Sequence, residues 1–282
     1  MADAWYAADG CYRRAEAPML SPAPRRTPML SPRAYPAVDP HVGSTSLGMA
    51  VSCEADPARV VDKNRTADQA ARMSLTLLGW RRRVADLYRL VRAEPEPVTA
   101  HVLWSAGRDT LFAHHPDSPL LVTRRPDFDG LPVAPYDASL RFELPLDPDV
   151  PPMHLDVPTA TDGVVPFDRL GVLRLPDGRG ALSAWWLGSY GGGLFVPVRD
   201  ASAGSTSYGG GRYLLDTVKG ADLGGDVDLA TGRGVLVVDL NFLYHPSCAY
   251  DAAWACPLPP PGNLLDWAVE AGEQLPPGGW YG

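Results

Sequence analysis

Short alternating apolar segments beyond Pro119 place the strongest constraint on how this chain can fold. Apolar residues there recur at every second position, as in strands with one buried face, and Gly, Pro and Asp separate them at hairpin-like spacing. No helical pattern lies between consecutive segments, which argues against parallel crossover units. The sequence therefore predicts a mainly antiparallel, curved sheet or barrel. The predicted strands cover residues 120–123, 140–146, 154–157, 169–175, 181–187, 194–198, 213–218 and 235–242.

Helical patterns both precede and follow the predicted strands in the sequence. Apolar residues from Trp80 to Val91 recur with helical spacing, and a second helix is predicted over residues 98–113 after a short proline-containing connection. A last helix is predicted over residues 263–275, with Leu264, Trp267, Ala268 and Ala271 facing inward. The expected fold is α+β: an N-terminal helical hairpin, the antiparallel sheet and a C-terminal helix.

Residues 1–66 have no sustained hydrophobic period and are rich in Pro, Ala and Arg. The sequence Pro-Met-Leu-Ser-Pro begins at Pro18 and again at Pro28, and proline at this density blocks both helix and ladder formation. We expect a flexible tail over residues 1–66 and a single domain over residues 67–282.

Composition narrows the class of protein. A net charge of −8 argues against a nucleic-acid binder, and no apolar run is long enough to span a membrane. Four cysteines are too few for a disulfide scaffold, and the N-terminus lacks the order of a signal peptide, so we expect a cytoplasmic protein. All of the 25 basic residues except Lys63 and Lys219 are arginine, which suggests a GC-rich bacterial genome.

Two glycine runs stand directly before predicted strands: Tyr190-Gly-Gly-Gly-Leu-Phe and Tyr208-Gly-Gly-Gly-Arg-Tyr. A phosphate-binding loop needs a helix after its glycines, so these runs do not predict nucleotide binding. They indicate tight turns in a curved sheet, or a pocket wall where the backbone approaches a ligand.

Charged residues follow these runs. On a strand, Arg212 and Asp216 share one face, and Arg199 and Lys219 lie close by in sequence. Such a set is either a structural ion pair or a site for an anionic ligand. Lys219 is also notable because an ammonium that must titrate cannot be replaced by guanidinium.

The segment from Asp239 to Asn263 carries the clearest sign of a site. Asp239 and Asn241 stand on one face at the end of the predicted strand, where the pattern changes from apolar to polar. His245, Cys248 and Tyr250 follow, and the segment also contains Cys256. We interpret this as the mouth of a pocket.

Four roles remain open for the two cysteines. Cys248, Cys256 and His245 could bind zinc with Asp239 or Asp251, although Cys-x7-Cys is not a usual zinc spacing. Cys248 could be a nucleophile assisted by His245. The cysteines could also be buried apolar residues or a redox pair. No Gly-x-Ser-x-Gly, His-Glu-x-x-His or Walker-type motif is present.

Several of these motifs resemble a bacterial family described as domain of unknown function 1684. The likeness covers residues 78–275 and rests on these segments: Trp80-Arg-Arg-Arg, residues 190–220, Asp239-Leu-Asn-Phe, Cys248-Ala-Tyr and Cys256-Pro-Leu. In the family a Glu often precedes the Asn that corresponds to Asn263. Gly262 stands there, so no catalytic carboxylate is carried over. The resemblance implies no activity, but it marks as signature positions Asp239, Asn241, Cys248, Tyr250, Cys256 and Asn263.

The sequence favours a small-molecule enzyme or ligand-binding protein whose pocket accepts an anion. The candidate catalytic residues are Asp239, Lys219, His245 and Cys248. The candidate ligand-binding residues are Arg199, Arg212, Asp216, Asn241, Tyr250 and Asn263. The alternative is a structural or protein-interaction domain with a rigid Cys/Pro loop, which zinc could staple. The sequence specifies neither a cofactor nor an oligomeric state.

Overall fold

A helical hairpin packs on a curved antiparallel sheet in the computed structural model of the protein. The structure describes residues 57–159, 163–188, 190–228, 230–254 and 256–280, with side chains from residue 75 onward. Helices α1 (Pro57–Ala93) and α2 (Pro97–His114) form the hairpin. Residues 1–56 of the predicted tail lie outside the described residues. None of the described helices has the length and apolarity needed to cross a membrane.

The inner faces of the two helices explain why the hairpin docks on the sheet. On α1 the predicted residues from Trp80 to Val91 point inward, while Arg81, Arg82 and Arg83 are exposed. Pro97 begins α2, where the missing N–H of proline costs nothing. Leu103 does not belong to the buried face of α2, because it is 41% exposed. The buried face of α2 is instead formed by Ala100, His101, Trp104, Arg108, Leu111 and Phe112.

Among the described residues, eight strands form one sheet in which every strand pair is antiparallel, as predicted. They are β1 (Arg141–Asp147), β2 (His154–Pro158), β3 (Val164–Arg174), β4 (Ala181–Leu187), β5 (Gly193–Val198), β6 (Arg212–Asp216), β7 (Gly225–Val227) and β8 (Gly234–Asp239). Their order is β6-β5-β4-β3-β1-β8-β7, with β2 paired to β3. The first half of β3 pairs with β2 and its end pairs with β1, and this change of partner curls the sheet into a half-barrel.

Some predicted boundaries differ from the structure for local reasons. Residues 120–123 do not form a strand, because the chain turns into a 3-10 helix at Val122–Asp127. The strand predicted from residue 235 ends at Asp239, whose carboxylate accepts the N–H of Asn241 and starts another 3-10 turn. Strand β7 has only three exposed residues and left no periodic signal in the sequence.

The predicted C-terminal helix is wrong. Residues 263–275 run in an irregular, extended path, and the buried positions alternate: Asn263, Leu265, Val269, Ala271 and Glu273. Backbone hydrogen bonds join the segment to residues that follow β5 and β8. Leu265 N–H donates to the Arg199 carbonyl, and Glu273 N–H donates to the Leu243 carbonyl. The chain thus closes the domain with extended backbone, and this segment covers the ends of several strands.

The glycine runs lead into strands β5 and β6, as the sequence predicted. Gly211 has a φ of +85°, and a Cβ placed there would lie 2.6 Å from the Val198 carbonyl oxygen. The run therefore serves both a left-handed turn and a close approach of two backbones.

Substitution of Gly211 should distinguish it from its neighbour in the same run. We expect Gly211→Ala to destabilise the protein by roughly 1–3 kcal/mol, through backbone strain and the contact with Val198. Gly209→Ala is the matched control, because its nearest neighbouring atom would be 3.8 Å away and its φ is not left-handed. Thermal unfolding followed by circular dichroism measures both. Equal melting temperatures of the two variants would contradict the role assigned to Gly211.

Candidate functional site

Arg212, a predicted ligand-binding residue, is buried in an ion pair. Its side chain is 0% exposed and its Nη2 donates to Asp200 Oδ2 at 2.8 Å. The guanidinium also donates to backbone carbonyls of the C-terminal segment, at Val269, Ala271 and Glu273. Arg212 therefore joins β6 to the C-terminal segment. Its neighbour Arg199 is exposed and donates to the Gly209 carbonyl.

Asn263 joins three parts of the fold. Its Oδ1 accepts the indole N–H of Trp185 at 2.7 Å, and its Nδ2 donates to the carbonyls of Ser183 and Pro197 at 2.8 Å. All of these groups are buried. The amide thus spans β4, β5 and the start of the C-terminal segment.

Asp239 and Asn241 are part of a similar buried network. Asn241 exchanges hydrogen bonds with the backbone of Asp137, and its Nδ2 donates to Asp239 Oδ1 at 2.7 Å. Asp239 also accepts the hydroxyl of Tyr136 at 3.1 Å. Burial raises the pKa of Asp239 in spite of these hydrogen bonds, which lower it. The pair holds the turn after β8 against the residues that lead into β1.

A buried charged cluster joins α2 to the C-terminal segment and to His245. Arg108 Nη2 donates to Glu273 Oε2 at 2.6 Å, and the backbone N–H of His245 donates to the same oxygen at 3.1 Å. The guanidinium of Arg108 also lies over three aromatic rings, those of Trp104, Phe112 and Tyr244. Burial alone would raise the pKa of Glu273, but Arg108 and His245 outweigh it and hold that pKa below its ordinary value.

The imidazole of His245 is fixed by its neighbours. Its Nε2 accepts the backbone N–H of Tyr208 at 3.1 Å, so the proton of the neutral ring lies on Nδ1, which is 3.6 Å from Glu273 Oε1. Within the described part of the chain, neither His245 Nδ1 nor Glu273 Oε1 has a hydrogen-bond partner. Arg108 Nε and the Tyr250 hydroxyl are also buried and lack one. Buried polar atoms are almost always paired, so this concentration requires an explanation.

A small pocket lies between the helical hairpin and the sheet; we name it the helix–sheet pocket. Its volume is about 50 Å³, enough for a few water molecules or a group the size of a carboxylate. Arg108, Lys219 and His245 contribute its polar wall. Aromatic side chains make up much of the remainder: Trp80, Tyr88, Phe112, Tyr213 and Tyr244.

Lys219 stands at this pocket with a carboxylate partner. Its Nζ is 3.2 Å from Asp216 Oδ2 and 5.6 Å from the centre of the Tyr213 ring, and its side chain is 43% exposed. Partial burial lowers the pKa of Lys219, but Asp216 and the Cys256 sulfur raise it more, so the net shift is upward. The ammonium is therefore held charged.

A second and larger depression contains both described cysteines; we name it the thiol cleft. Its volume is about 460 Å³, and its wall includes Pro158, Thr159, Tyr208, Cys248, Trp254 and Cys256. The backbone N–H of Cys248 donates to Cys256 Sγ at 3.3 Å, and the two thiols are hydrogen-bonded to each other. No disulfide joins them.

The structure separates the residues that the sequence grouped together. His245 and Lys219 line the helix–sheet pocket, whereas Cys248 lies in the thiol cleft. Tyr250 is buried beside Phe112 and Trp280. Over the residues that the structure describes, no three His, Cys, Asp or Glu side chains gather as metal ligands would.

Sequence reasoning missed Arg108 and Glu273, and it did not pair Asp200 with Arg212. Arg108 falls on the apolar face of α2, and a lone arginine in such a stripe was the available signal. The helix predicted over residues 263–275 hid the inward position of Glu273.

The sequence model of the family described as "Protein of unknown function (DUF1684)" matches residues 126–274, which include the sheet, both described cysteines and Glu273. The solution NMR structure of an uncharacterized protein from gene locus rrnAC0354 of Haloarcula marismortui is 34% identical, covering 60% of this chain and 89% of that chain, with a TM-score of 0.44. No curated protein matches. The chain belongs to the family described as protein of unknown function (DUF1684).

Proposed function

We propose that the protein binds a small anionic molecule, as ligand or substrate, with its anionic group in the helix–sheet pocket. The observation that carries this proposal is the convergence of Arg108, Lys219 and His245 on one aromatic-walled pocket. Buried polar atoms of Arg108 and His245 have no hydrogen-bond partner within the described part of the chain. A few convergent polar groups in an otherwise apolar pocket are typical of small-molecule sites.

The chemistry of the two cations favours an anion. Arg108 uses Nη2 for Glu273, which leaves its Nε–H available as a donor. The ammonium of Lys219 has three donor hydrogens, so it can keep Asp216 and still donate to a second acceptor. Hydrogen bonds between such cations and a carboxylate or phosphate are charge-assisted and therefore strong. A pocket of this size admits one such group, with the rest of the molecule extending toward solvent past Lys219.

Lys219→Gln should weaken binding without unfolding the protein. A panel of small carboxylates and phosphate esters is first screened by thermal shift, and titration calorimetry then measures the best of them. We expect a roughly 10- to 100-fold loss of affinity, because a hydrogen bond to a charged group contributes about 1.5–3 kcal/mol. Arg233→Gln is the matched control, since it removes an exposed cation near the β7–β8 turn.

Two results would contradict the proposal. One is that no anion of the panel raises the melting temperature of the wild-type protein. The other is an equal affinity for the best anion in Lys219→Gln and in wild type.

A further inference from the structure

We propose that Cys256 and Cys248 form a thiol–disulfide exchange pair that reacts with small organic disulfides in the thiol cleft. The exchange takes place in the thiol cleft and does not require that the helix–sheet pocket bind a ligand, although Lys219 acts at both sites. Cys256 is the attacking residue and Cys248 is the resolving residue.

The environment of the Cys256 sulfur is suited to a thiolate. It accepts the backbone N–H of Cys248 at 3.3 Å and is hydrogen-bonded to the thiol of Cys248. The ammonium of Lys219 also acts on it, whereas the hydroxyl of Tyr213 donates its proton to the Pro257 carbonyl at 2.6 Å. Two donors and a cation around one sulfur stabilise negative charge, as in known reactive cysteines.

The backbone N–H of Cys248 donates to Cys256 Sγ, and this contact assigns the two roles because it stabilises a thiolate on Cys256. The hydrogen bond from Cys248 lowers the pKa of Cys256 most, and Lys219 adds to that effect against the cost of burial, which leaves a pKa of about 6. The same hydrogen bond, together with burial, raises the pKa of Cys248. At neutral pH, Cys256 is therefore the nucleophile and Cys248 keeps its proton.

The cleft provides access and space. Both cysteines are partly exposed, and the cleft of about 460 Å³ is flanked by the apolar side chains of Trp254 and Leu258. A small uncharged disulfide fits this volume. The helix–sheet pocket, by contrast, is far too small for one.

The exchange balances with the small disulfide as oxidant. The Cys256 thiolate attacks one sulfur of RSSR, forming Cys256–S–S–R and releasing RS⁻. Cys256 is then neutral, so its negative charge no longer opposes ionisation of Cys248. Cys248 transfers its proton to the released RS⁻ and attacks Cys256 Sγ, which expels the second RS⁻ and forms the Cys248–Cys256 disulfide. The disulfide RSSR is reduced to one thiol, RSH, and one thiolate, RS⁻, and the cysteine pair is oxidised to a disulfide.

The test uses the full chain, bis(2-hydroxyethyl) disulfide and peptide mapping by mass spectrometry. Wild-type protein should form the Cys248–Cys256 disulfide. Cys248→Ala should instead accumulate the 2-hydroxyethylthio adduct on Cys256, because no resolving thiol remains. Cys256→Ala should form neither product at Cys248. Peptides that contain Cys11 and Cys53 are mapped in the same samples, so reaction there is distinguished from reaction at the pair. Circular dichroism confirms that each variant is folded.

Alkylation supplies a second readout. In native wild-type protein the rate of Cys256 labelling by iodoacetamide should be half-maximal near pH 6. In Cys248→Ala the midpoint should rise by about one pH unit or more, because the strongest thiolate donor is lost. An adduct that forms on Cys248 in place of Cys256, or reaction of the pair only after denaturation, would overturn the proposal.

Discussion

Arg212→Ala is expected to lower the free energy of unfolding by roughly 3–5 kcal/mol, which is the cost of removing one partner of a buried ion pair. The side chains of Arg212 and Asp200 are 0% and 1% exposed. Without the guanidinium, the carboxylate of Asp200 stays buried without its counter-charge. The carbonyl of Val269 also loses its donor, and the carbonyl of Ala271 keeps only the side-chain amide of Gln274. Urea unfolding followed by circular dichroism measures the change.

The pH dependence of this effect has a definite sign. Burial raises the pKa of Asp200, but Arg212 and the hydrogen bonds from Ser202 outweigh it, so the net pKa is lowered. A lowered folded-state pKa stabilises the protein above the unfolded value, near 3.9 for Asp, and that stability is lost as pH falls through the folded value. The difference between Arg212→Ala and wild type should therefore narrow below about pH 4.

Two variants sharpen the test of Arg212. Arg212→Lys keeps the charge but not the planar fork of donors, so it should recover only part of the stability. Arg199→Ala removes an exposed arginine from the same corner of the fold and should change little. Equal effects of Arg199→Ala and Arg212→Ala would show that the ion pair with Asp200 is not the cause.

Glu273→Gln is expected to cost a similar amount, roughly 3–5 kcal/mol, because Arg108 would remain buried and charged among aromatic rings. The neutral amide can still accept the N–H of His245, so the loss reports mainly the charge. The lowered pKa of Glu273 means that its contribution is present above about pH 4.3 and disappears as the pH falls through the folded value. Glu143→Gln, at an exposed pair with Arg141, is the control.

A double-mutant cycle isolates the Arg108–Glu273 interaction. Arg108→Met removes the buried cation, so Glu273→Gln should cost much less in that background than in wild type. Urea unfolding of the four proteins gives the coupling free energy. Additive losses would indicate that the two side chains act independently.

The antiparallel sheet and its glycine turns could be predicted because strand patterns depend on local alternation. Residues 181–187 and 194–198 match β4 and β5 to within one residue. The C-terminal segment could not be predicted in the same way. Leu264, Trp267, Ala268 and Ala271 fit a helical face, but the real buried set alternates, and only the strands beside the segment select it.

The candidate site, like the fold, could be predicted from the sequence only in part. The sequence identified Lys219, His245 and Cys248 as chemically notable, and it left open whether Arg212 pairs internally or binds an anion. Burial under the C-terminal segment favours the internal pair, since four hydrogen bonds occupy the guanidinium. The contact of Arg108 with Glu273 joins residues 165 positions apart, and no local pattern encodes such a pair.

The sequence by itself determined the helical hairpin, the antiparallel class of the sheet, the turns and the membership of the family. Each of these depends on residue spacing within short segments or on motifs that survive as a linear pattern. Only the tertiary structure decided which polar residues are structural and which line a cavity. That distinction depends on burial and on partners contributed by distant segments, because a charged side chain is stable in the interior only when another element supplies its counter-charge.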